Sequence, residues 1–310
     1  MSLISVVVPC YNEEKALSFF YEEMSKVRKE MSKEKFELIF VDDGSKDKTL
    51  EILKELAEKD KDVKYISFSR NFGKEAAILA GFKAAKGDYV VMMDADLQDP
   101  PSLLPEMFKA VTEEGYDSVA TRRVTRKGEP KIRSFFARTF YKLINKISDT
   151  DLVDGARDYR LMNRAFVDAL LSMQETNRFS KGMFGWVGFK TKWIEFENVE
   201  RVAGETKWSF GKLFKYALEG IIAFSDAPLK ISSFTGFLLA LLSVLGAITV
   251  GIFDIVGYYI SGLVYLGIGI TFLFSLLMIF IGILGLYVSK INAQVKKRPI
   301  FITKETNIKE

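Results

Sequence analysis

The sequence predicts an α/β domain built on a mainly parallel sheet, followed by a membrane-spanning hairpin. Three observations carry this reading. Short β-branched apolar runs alternate with amphipathic stretches through the first 120 residues. Polar residues gather directly after those apolar runs. Charge is also unevenly spread: the chain has 310 residues and a formal net charge of +4, yet Asp254 is the only charged side chain between Ile231 and Ser289. A chain of this length has room for about two domains.

The elements follow in order. Ile4–Val8, Phe36–Val41, Val63–Phe68, Tyr89–Met93 and Asp117–Ala120 read as strands, and Glu13–Met31, Asp47–Lys59, Lys74–Ala85 and Leu103–Glu113 as helices. Strands separated by helices of this length pair in parallel, with helices covering both faces of the sheet. Ligands of such sheets bind beyond the carboxyl ends of the strands. Those ends carry Pro9-Cys10-Tyr11-Asn12-Glu13-Glu14, Asp42-Asp43-Gly44-Ser45 and Asp94-Ala95-Asp96-Leu97-Gln98-Asp99.

Absences narrow the chemistry. The chain has no histidine, which excludes imidazole bases, histidine metal ligands and Ser-His or Cys-His nucleophile pairs. One cysteine, Cys10, excludes an internal disulfide and a cysteine-rich metal site. A metal held here takes oxygen ligands, which points to Mg²⁺ or Mn²⁺. The first crossover lacks G-x-G-x-x-G and no G-x-x-x-x-G-K-[ST] occurs, so neither a dinucleotide fold nor a P-loop is expected. The amino terminus lacks the basic and apolar regions of a signal peptide, so the first domain is expected in the cytoplasm.

Asp94 and Asp96 form the sharpest local signal. Residues i and i+2 of an extended segment project to one side, so both carboxylates and Gln98 face one point. Two carboxylates so directed repel unless a divalent cation lies between them, and that cation completes its shell with phosphate oxygens. A solvated acidic loop has the same composition; the strand that precedes the motif favours the metal site. Asp42 suits a ribose or base contact; the alternative is a turn and helix cap, which Gly44, Ser45 and Asp47 can supply without it.

Phe234–Phe253 and Gly262–Ser289 are uncharged and long enough to cross a hydrocarbon core. Lys230 precedes the first, Lys290, Lys296, Lys297 and Arg298 follow the second, and the loop Asp254–Ser261 has no basic residue. Both ends are therefore expected in the cytoplasm, with the loop outside. Between the sheet and the spans, Thr121–Lys146 holds nine basic residues and one acid, with Ile132, Phe135, Phe136, Phe140, Leu143, Ile144 and Ile147 at helical spacing. This is a basic amphipathic helix suited to an anionic membrane surface, and nucleic acid is the weaker reading beside two spans. Gly211–Asp226 is a second such candidate. Asp154 to Arg164 sets acids among Arg157, Arg160 and Arg164 before a helix, a composition suited to anions, and Arg201 to Trp208 offers a loop able to close over a diphosphate.

The segments SVVVPCYNEE, VDDGSKDKT, SRNFGKEAAILAGFKAAKGDYVVMMDADLQDPP, DYRLMNR and RVAGETKWSFGKL, followed by two spans, resemble the polyprenyl-phosphate glycosyltransferases of family 2. That group includes bactoprenol glucosyltransferases and dolichol-phosphate mannose synthases. The resemblance implies a GT-A nucleotide-sugar-binding core over 1–130, an acceptor-side region with interfacial amphipathic helices and a closing loop over 131–230, a two-helix transmembrane hairpin over 231–290 and a cytoplasmic tail over 291–310. Carried over by motif, Pro9, Tyr11, Glu13 and Asp42 contact the nucleoside, and Asp94, Asp96 and Gln98 surround the metal and diphosphate. Asp158 matches the acid usually assigned as catalytic base. Arg122 and Arg133 match acceptor-phosphate arginines, Arg160 joins this anion-handling set, and Arg201 and Lys207 hold phosphates from the closing loop. One departure is visible: the family's glycine directly precedes the acid, whereas Gly155 stands three residues before Asp158.

The implied activity is an inverting, metal-dependent transfer of one sugar from a nucleotide donor to a polyprenyl phosphate at the plasma membrane. UDP-glucose and undecaprenyl phosphate are the favoured pair, with UDP-N-acetylglucosamine next and GDP-mannose with dolichol phosphate third. The chain is expected to be a homo-oligomer with no nucleic-acid partner. The rival from another class is a non-catalytic membrane scaffold on the same fold.

Overall fold

The computed structural model describes residues 1–124, 153, 155–197 and 261–309, with single residues between 229 and 256. The chain divides into two units, one of Met1–Gly220 with Pro299–Glu310 and one of Ile221–Arg298.

The first unit opens with the expected alternation: β1 (Leu3–Cys10), α1 (Leu17–Glu30), β2 (Lys35–Asp42), α2 (Thr49–Lys59), β3 (Val63–Phe68), α3 (Lys74–Ala84), β4 (Tyr89–Met92), α4 (Leu104–Glu113) and β5 (Ser118–Arg123). A short 3₁₀ turn at Pro101–Leu103 leads into α4. Then come β6 (Ala156–Asn163), α5 (Arg164–Ser172), α6 (Ser180–Trp186) and β7 (Thr191–Phe196). Asn163 caps α5 by accepting the Phe166 N–H at 2.9 Å.

The sheet order is β7-β5-β6-β4-β1-β2-β3-β8, where β8 is Thr303–Thr306 from the carboxyl end of the chain. β1 pairs in parallel with β2 and β4, β2 with β3, and β5 with β7. β6 runs antiparallel between β4 and β5, and β8 antiparallel to β3. The sequence predicted the parallel units; β6, β7 and β8 are additions of the structure.

Alternation sorts side chains to the two faces. Ile4, Val6 and Val8 join Leu17, Phe20, Leu53 and Met107 in the main core cluster, on the side of α1, α2 and α4. Val7 turns the other way, toward α3. That helix lies close on β1: a Cβ at Gly81 would stand 2.1 Å from Val7 Cγ1. Ala76, Ala77 and Ala80 are also buried along α3, so small residues let the helix approach the strand. This close approach fixes where the first residue of α3, Lys74, sits.

In the second unit, α7 (Gly262–Val295) carries the apolar stretch Tyr265–Val295, which contains an 18-residue window of mean hydropathy 2.5, none of it buried. That length and composition suffice to cross a bilayer. The expected first span, Phe234–Phe253, lies mostly outside the described residues; those described within it, such as Leu238, Leu242 and Leu245, are helical. The basic amphipathic segment beyond Val124, Arg133, Asp154, Arg201, Lys207 and the segment Gly211–Asp226 also lie outside the described residues.

Replacing Gly81 by alanine tests the approach of α3 to β1. Alanine gains about 1 kcal/mol of intrinsic helix propensity. The clash with fully buried Val7 opposes that gain through overpacking, which costs about 1–3 kcal/mol. Gly81→Ala is therefore expected to lower the thermal unfolding midpoint in detergent; an unchanged or raised midpoint would show that the contact is relaxed at no cost.

Candidate functional site

The site forms where the parallel strands end. Loops after β1 and β2 are knitted together: the Asn12 N–H donates to Ser45 Oγ at 2.9 Å, the Lys46 N–H to Asn12 Oδ1 at 2.8 Å, and the Glu13 N–H to Thr49 Oγ1 at 2.8 Å. Asn12 has φ +54°, a conformation its short polar side chain tolerates. Pro9 closes β1 opposite Val41, while Tyr11 and Glu13 are half-buried in the following turn. Asp42 is 1% exposed; Ser67 Oγ donates to its Oδ2 at 2.8 Å and the Ser45 N–H to its Oδ1 at 3.0 Å. Its carboxylate thus braces the ends of β2 and β3 against each other.

Asp43, which sequence reasoning did not single out, turns to the loop after β3. It accepts the Phe72 N–H at 2.6 Å and the Gly73 N–H at 2.9 Å. Burial pushes its carboxyl up to about 6, against the lowering effect of those two N–H groups. Gly44 makes the turn possible: it has φ +65°, and a Cβ there would stand 2.5 Å from the Arg70 carbonyl carbon. The loops after β2 and β3 are therefore packed backbone to backbone immediately before Lys74.

Lys74 is the centre of the site. Its Nζ lies 2.7 and 2.9 Å from the two carboxylate oxygens of Asp94 and also donates to Asp158 Oδ2. Strand register explains the meeting. β4 ends with Met92 paired to Arg160, and the same antiparallel register, carried two residues past Met92 and two residues back from Arg160, brings Asp94 to Asp158. Like charges facing each other on neighbouring strands repel, and the ammonium between them removes the repulsion. Lys181 Nζ adds a second positive charge 3.8 Å from Asp158 Oδ1. Burial works to raise the Asp158 carboxyl, but Lys74 and Lys181 outweigh it and hold the group well below the usual carboxylate range. Burial likewise works against the Lys74 charge, and Asp158 and Asp94 outweigh it and raise its value.

The remainder of the loop after β4 is firmly held. Ala95 and Leu97 enter the main core cluster, as alternation from β4 requires, and Leu97 adopts φ +57°. Asp96 is 7% exposed and its Oδ1 accepts the Gln98 N–H at 3.1 Å. Asp99 is buried and bonds Arg157 of β6 at 2.8 and 3.3 Å. Burial disfavours the Arg157 charge, and the Asp99 carboxylate outweighs it.

The arginines predicted for anions divide. Arg122, at the site end of β5, is half-exposed and its Nε donates to Glu195 of β7 at 2.9 Å. Arg160 is 5% exposed, with its guanidinium 4.6 Å from the Phe184 ring and 5.4 Å from the Trp193 ring. It donates to Ser118 Oγ at 2.9 Å, and its Nε meets no acceptor among the described residues. Burial lowers its value. This aromatic enclosure packs α5, α6 and β7 onto β6 beneath the site.

The donor set suits a divalent cation. Asp94 already binds a cation, the Lys74 ammonium, through both oxygens, and Asp96 follows on the same loop. Among the described residues no cluster of three acidic, histidine or cysteine side chains is arranged for a metal. Two carboxylates would suffice where phosphate oxygens and water complete the coordination of a cation such as Mg²⁺.

The family described as glycosyl transferase family 2 matches residues 5–171. The putative glycosyltransferase CsbB of Bacillus subtilis is 44% identical, over 99% of this chain and 92% of its own length. The prophage bactoprenol glucosyl transferase homolog of Escherichia coli is 40% identical over 97% of this chain and 98% of its own. The bactoprenol glucosyl transferase of Shigella phage SfII is 39% identical over 98% of both. Among solved structures, a Pyrobaculum calidifontis mannosyltransferase in complex with GDP-Man and Mn²⁺ aligns with TM-score 0.49 and 18% identity, covering 71% of this chain and 62% of that one.

The raised Asp43 value predicts a pH effect. Its folded-state value near 6 lies above the ordinary aspartate value of 3.8. The folded state therefore holds this proton longer than the unfolded chain does. Its stabilising contribution is full below the unfolded value and is lost as pH rises through about 6. The stability difference between wild type and Asp43→Asn should change in the variant's favour by roughly 1–3 kcal/mol between pH 4 and 7. Parallel unfolding curves for the two proteins across that range would contradict the assignment.

Proposed function

The chain belongs to glycosyltransferase family 2, and from that membership we propose that it transfers one sugar, glucose in the favoured case, from a UDP-sugar to undecaprenyl phosphate at the cytoplasmic membrane face. The product is a lipid-linked sugar for building surface polymers. Relatives named bactoprenol glucosyl transferase, aligned almost end to end, support the acceptor class. The observation that carries the reading is the meeting of Asp94 and Asp158 around Lys74 at the ends of β4 and β6.

In this reaction an oxygen of the lipid phosphate attacks the sugar C1 from the face opposite the nucleotide. The C1–O bond to the β-phosphate breaks, and the nucleoside diphosphate leaves with that electron pair. A lipid phosphate is already anionic near pH 7, so the nucleophile has little proton to lose. Asp158, held ionised by Lys74 and Lys181, is a weak base and serves here to position charged groups. Asp94 and Asp96 would hold Mg²⁺ or Mn²⁺. Such a cation, when bound, neutralises charge developing on the departing diphosphate. The loops at Pro9–Glu13 and Asp42–Thr49, joined by hydrogen bonds, would contact the nucleoside, and Gln98, whose N–H donates to Asp96, would stand near the diphosphate. Arg122 stands at the same end of the sheet, where a lipid phosphate can exchange for Glu195. Arg133, Arg201 and Lys207 complete the proposed anion contacts.

Chain parity supports the two-span arrangement. β8 belongs to the same sheet as β1 to β7, so Thr303–Thr306 lies on the same side of a bilayer as that sheet. If α7 crosses once, the chain must cross a second time between β7 and α7, which is where Phe234–Phe253 falls. The basic residues Lys290, Lys296, Lys297 and Arg298 put that side in the cytoplasm.

The test uses purified full-length protein in detergent, undecaprenyl phosphate, Mg²⁺ or Mn²⁺, and radiolabelled UDP-glucose, UDP-N-acetylglucosamine and GDP-mannose. Label from UDP-glucose is expected in the organic phase, lost with EDTA, and lowered on the order of 100-fold by Asp96→Asn. Transfer from another donor would reassign the sugar. Folded protein that transfers from no donor would overturn the enzymatic reading in favour of a scaffold, and transfer undiminished in the Asp96→Asn variant would overturn the metal role of Asp96.

A further inference from the structure

Lys74 was not among the residues expected at the site, yet it makes the closest charged contacts there. Its backbone is fixed from two directions. Asp43 holds the N–H groups of Phe72 and Gly73 just before it. Glu75, just after it, accepts the Ser180 N–H at 3.0 Å and the Ser180 hydroxyl, which pins the start of α3 to the start of α6. The part left to move is the four-carbon stem and its ammonium. That ammonium occupies both oxygens of Asp94, the carboxylate best placed to hold a divalent cation. The cluster is open enough for exchange: the side chains of Lys74, Asp94 and Asp158 are 34%, 28% and 22% exposed.

A divalent ion on Asp94 would repel an ammonium lying against both of its oxygens. The ion and the ammonium therefore compete for Asp94. The stem does not have to lose its partner when the ion takes Asp94, since Asp158 already accepts from Lys74.

We propose that Lys74 is an internal counter-cation for the metal seat: it holds Asp94 while the donor is absent and withdraws onto Asp158 when a divalent cation arrives with a nucleoside diphosphate. The inference rests on Asp94 being a metal ligand and adds a positioning residue that sets when the metal binds. Lys74 makes binding of the bare ion weak, because the ion must break an existing ion pair. A diphosphate restores the balance by giving the ion further oxygen ligands and the ammonium a nearby anion. Metal and donor then enter together, and the empty site does not keep two opposed carboxylates unscreened.

The test measures Mn²⁺ binding directly, by the loss of the free-ion electron paramagnetic resonance signal, on full-length protein in detergent without acceptor. Lys74→Met should bind Mn²⁺ alone about tenfold more tightly than wild type, the scale of one charge-assisted contact. Lys74→Arg should remain near wild type. Asp158→Asn should bind Mn²⁺ alone several-fold more weakly, because it removes the partner onto which Lys74 retreats. A residue that merely supports the fold would not move metal affinity in opposite directions in these two variants. Unchanged or weaker binding in folded Lys74→Met, or tighter binding in Asp158→Asn, would overturn the proposal. If Lys74→Met does not fold, Lys74→Gln takes its place beside Asp158→Asn. Failure of wild type to bind Mn²⁺ even with UDP would overturn the metal reading of Asp94 together with this inference, whereas binding with UDP but no shift in Lys74→Met would overturn this inference only.

Discussion

Two carboxylates brought together where adjacent antiparallel strands meet the site need a cation between them, and this requirement organises the carboxyl end of the sheet. Asp94 leaves β4 and Asp158 lies near the start of β6, in a register that makes them neighbours. The Lys74 ammonium is the cation that meets the requirement in the free chain. Because an ion pair of this kind depends on position to a fraction of an ångström, the surrounding fold has to deliver the α3 amino terminus to one place. Gly81 does so by letting α3 sit on β1, and Asp43 and Glu75 do so by tying down the backbone on each side of Lys74.

The same logic explains why so much charge is buried in β6. Read as sequence, Ala156-Arg157-Asp158-Tyr159-Arg160 looks like a surface loop, because a strand with three charges in four residues is disfavoured unless each is matched. Arg157 and Asp158 are each matched by a distant charge, and Arg160 by aromatic rings and a hydroxyl. Arg157 meets Asp99 on one face, together with Tyr159 in the main core cluster. Asp158 meets Lys74 and Lys181 on the other. Arg160 is enclosed by Phe184 and Trp193. The alternation of Tyr159 and Leu161 was the available strand signal, and the charges obscured it.

This accounts for what was legible in the sequence. The four parallel strands β1 to β4 and helices α1 to α4 follow from local periodicity, and the structure reproduces them to within a few residues at each end. Asp94 and Asp96 stand out in the sequence because a motif of two acids after a strand is compact, and the structure sets Asp94 against Lys74. Lys74 does not stand out, since its partners lie 20 and 84 residues away. A usable signal did exist: the rule that polar residues cluster where parallel strands end applies equally to Asn71-Phe72-Gly73-Lys74 after β3, the one strand end that the motif reading passed over. Arg160 shows the converse, for a charge is visible in sequence while its burial against aromatics is not.

β8 was illegible for a different reason. Thr303-Lys304-Glu305-Thr306 has no apolar pattern, and nothing local makes it a strand. It becomes one because β3 would otherwise be an open edge. Thr306 Oγ1 donates to the Tyr65 carbonyl at 2.7 Å, Lys54 pairs with Glu305 at 2.7 Å, and the Phe301 ring stacks on Phe68 at 5.0 Å. The Ser69 N–H donates to the Ile302 carbonyl at 3.0 Å, which extends the pairing past the end of β3. From Ser69 the chain needs only the turn held by Asp43 to reach Lys74. The carboxyl tail, returning after an apolar helix, therefore stabilises the strand whose exit loop presents the ammonium to Asp94 and Asp158. An edge strand needs cover in any sheet; here the covering segment also braces the loop on which the charge balance of the site depends.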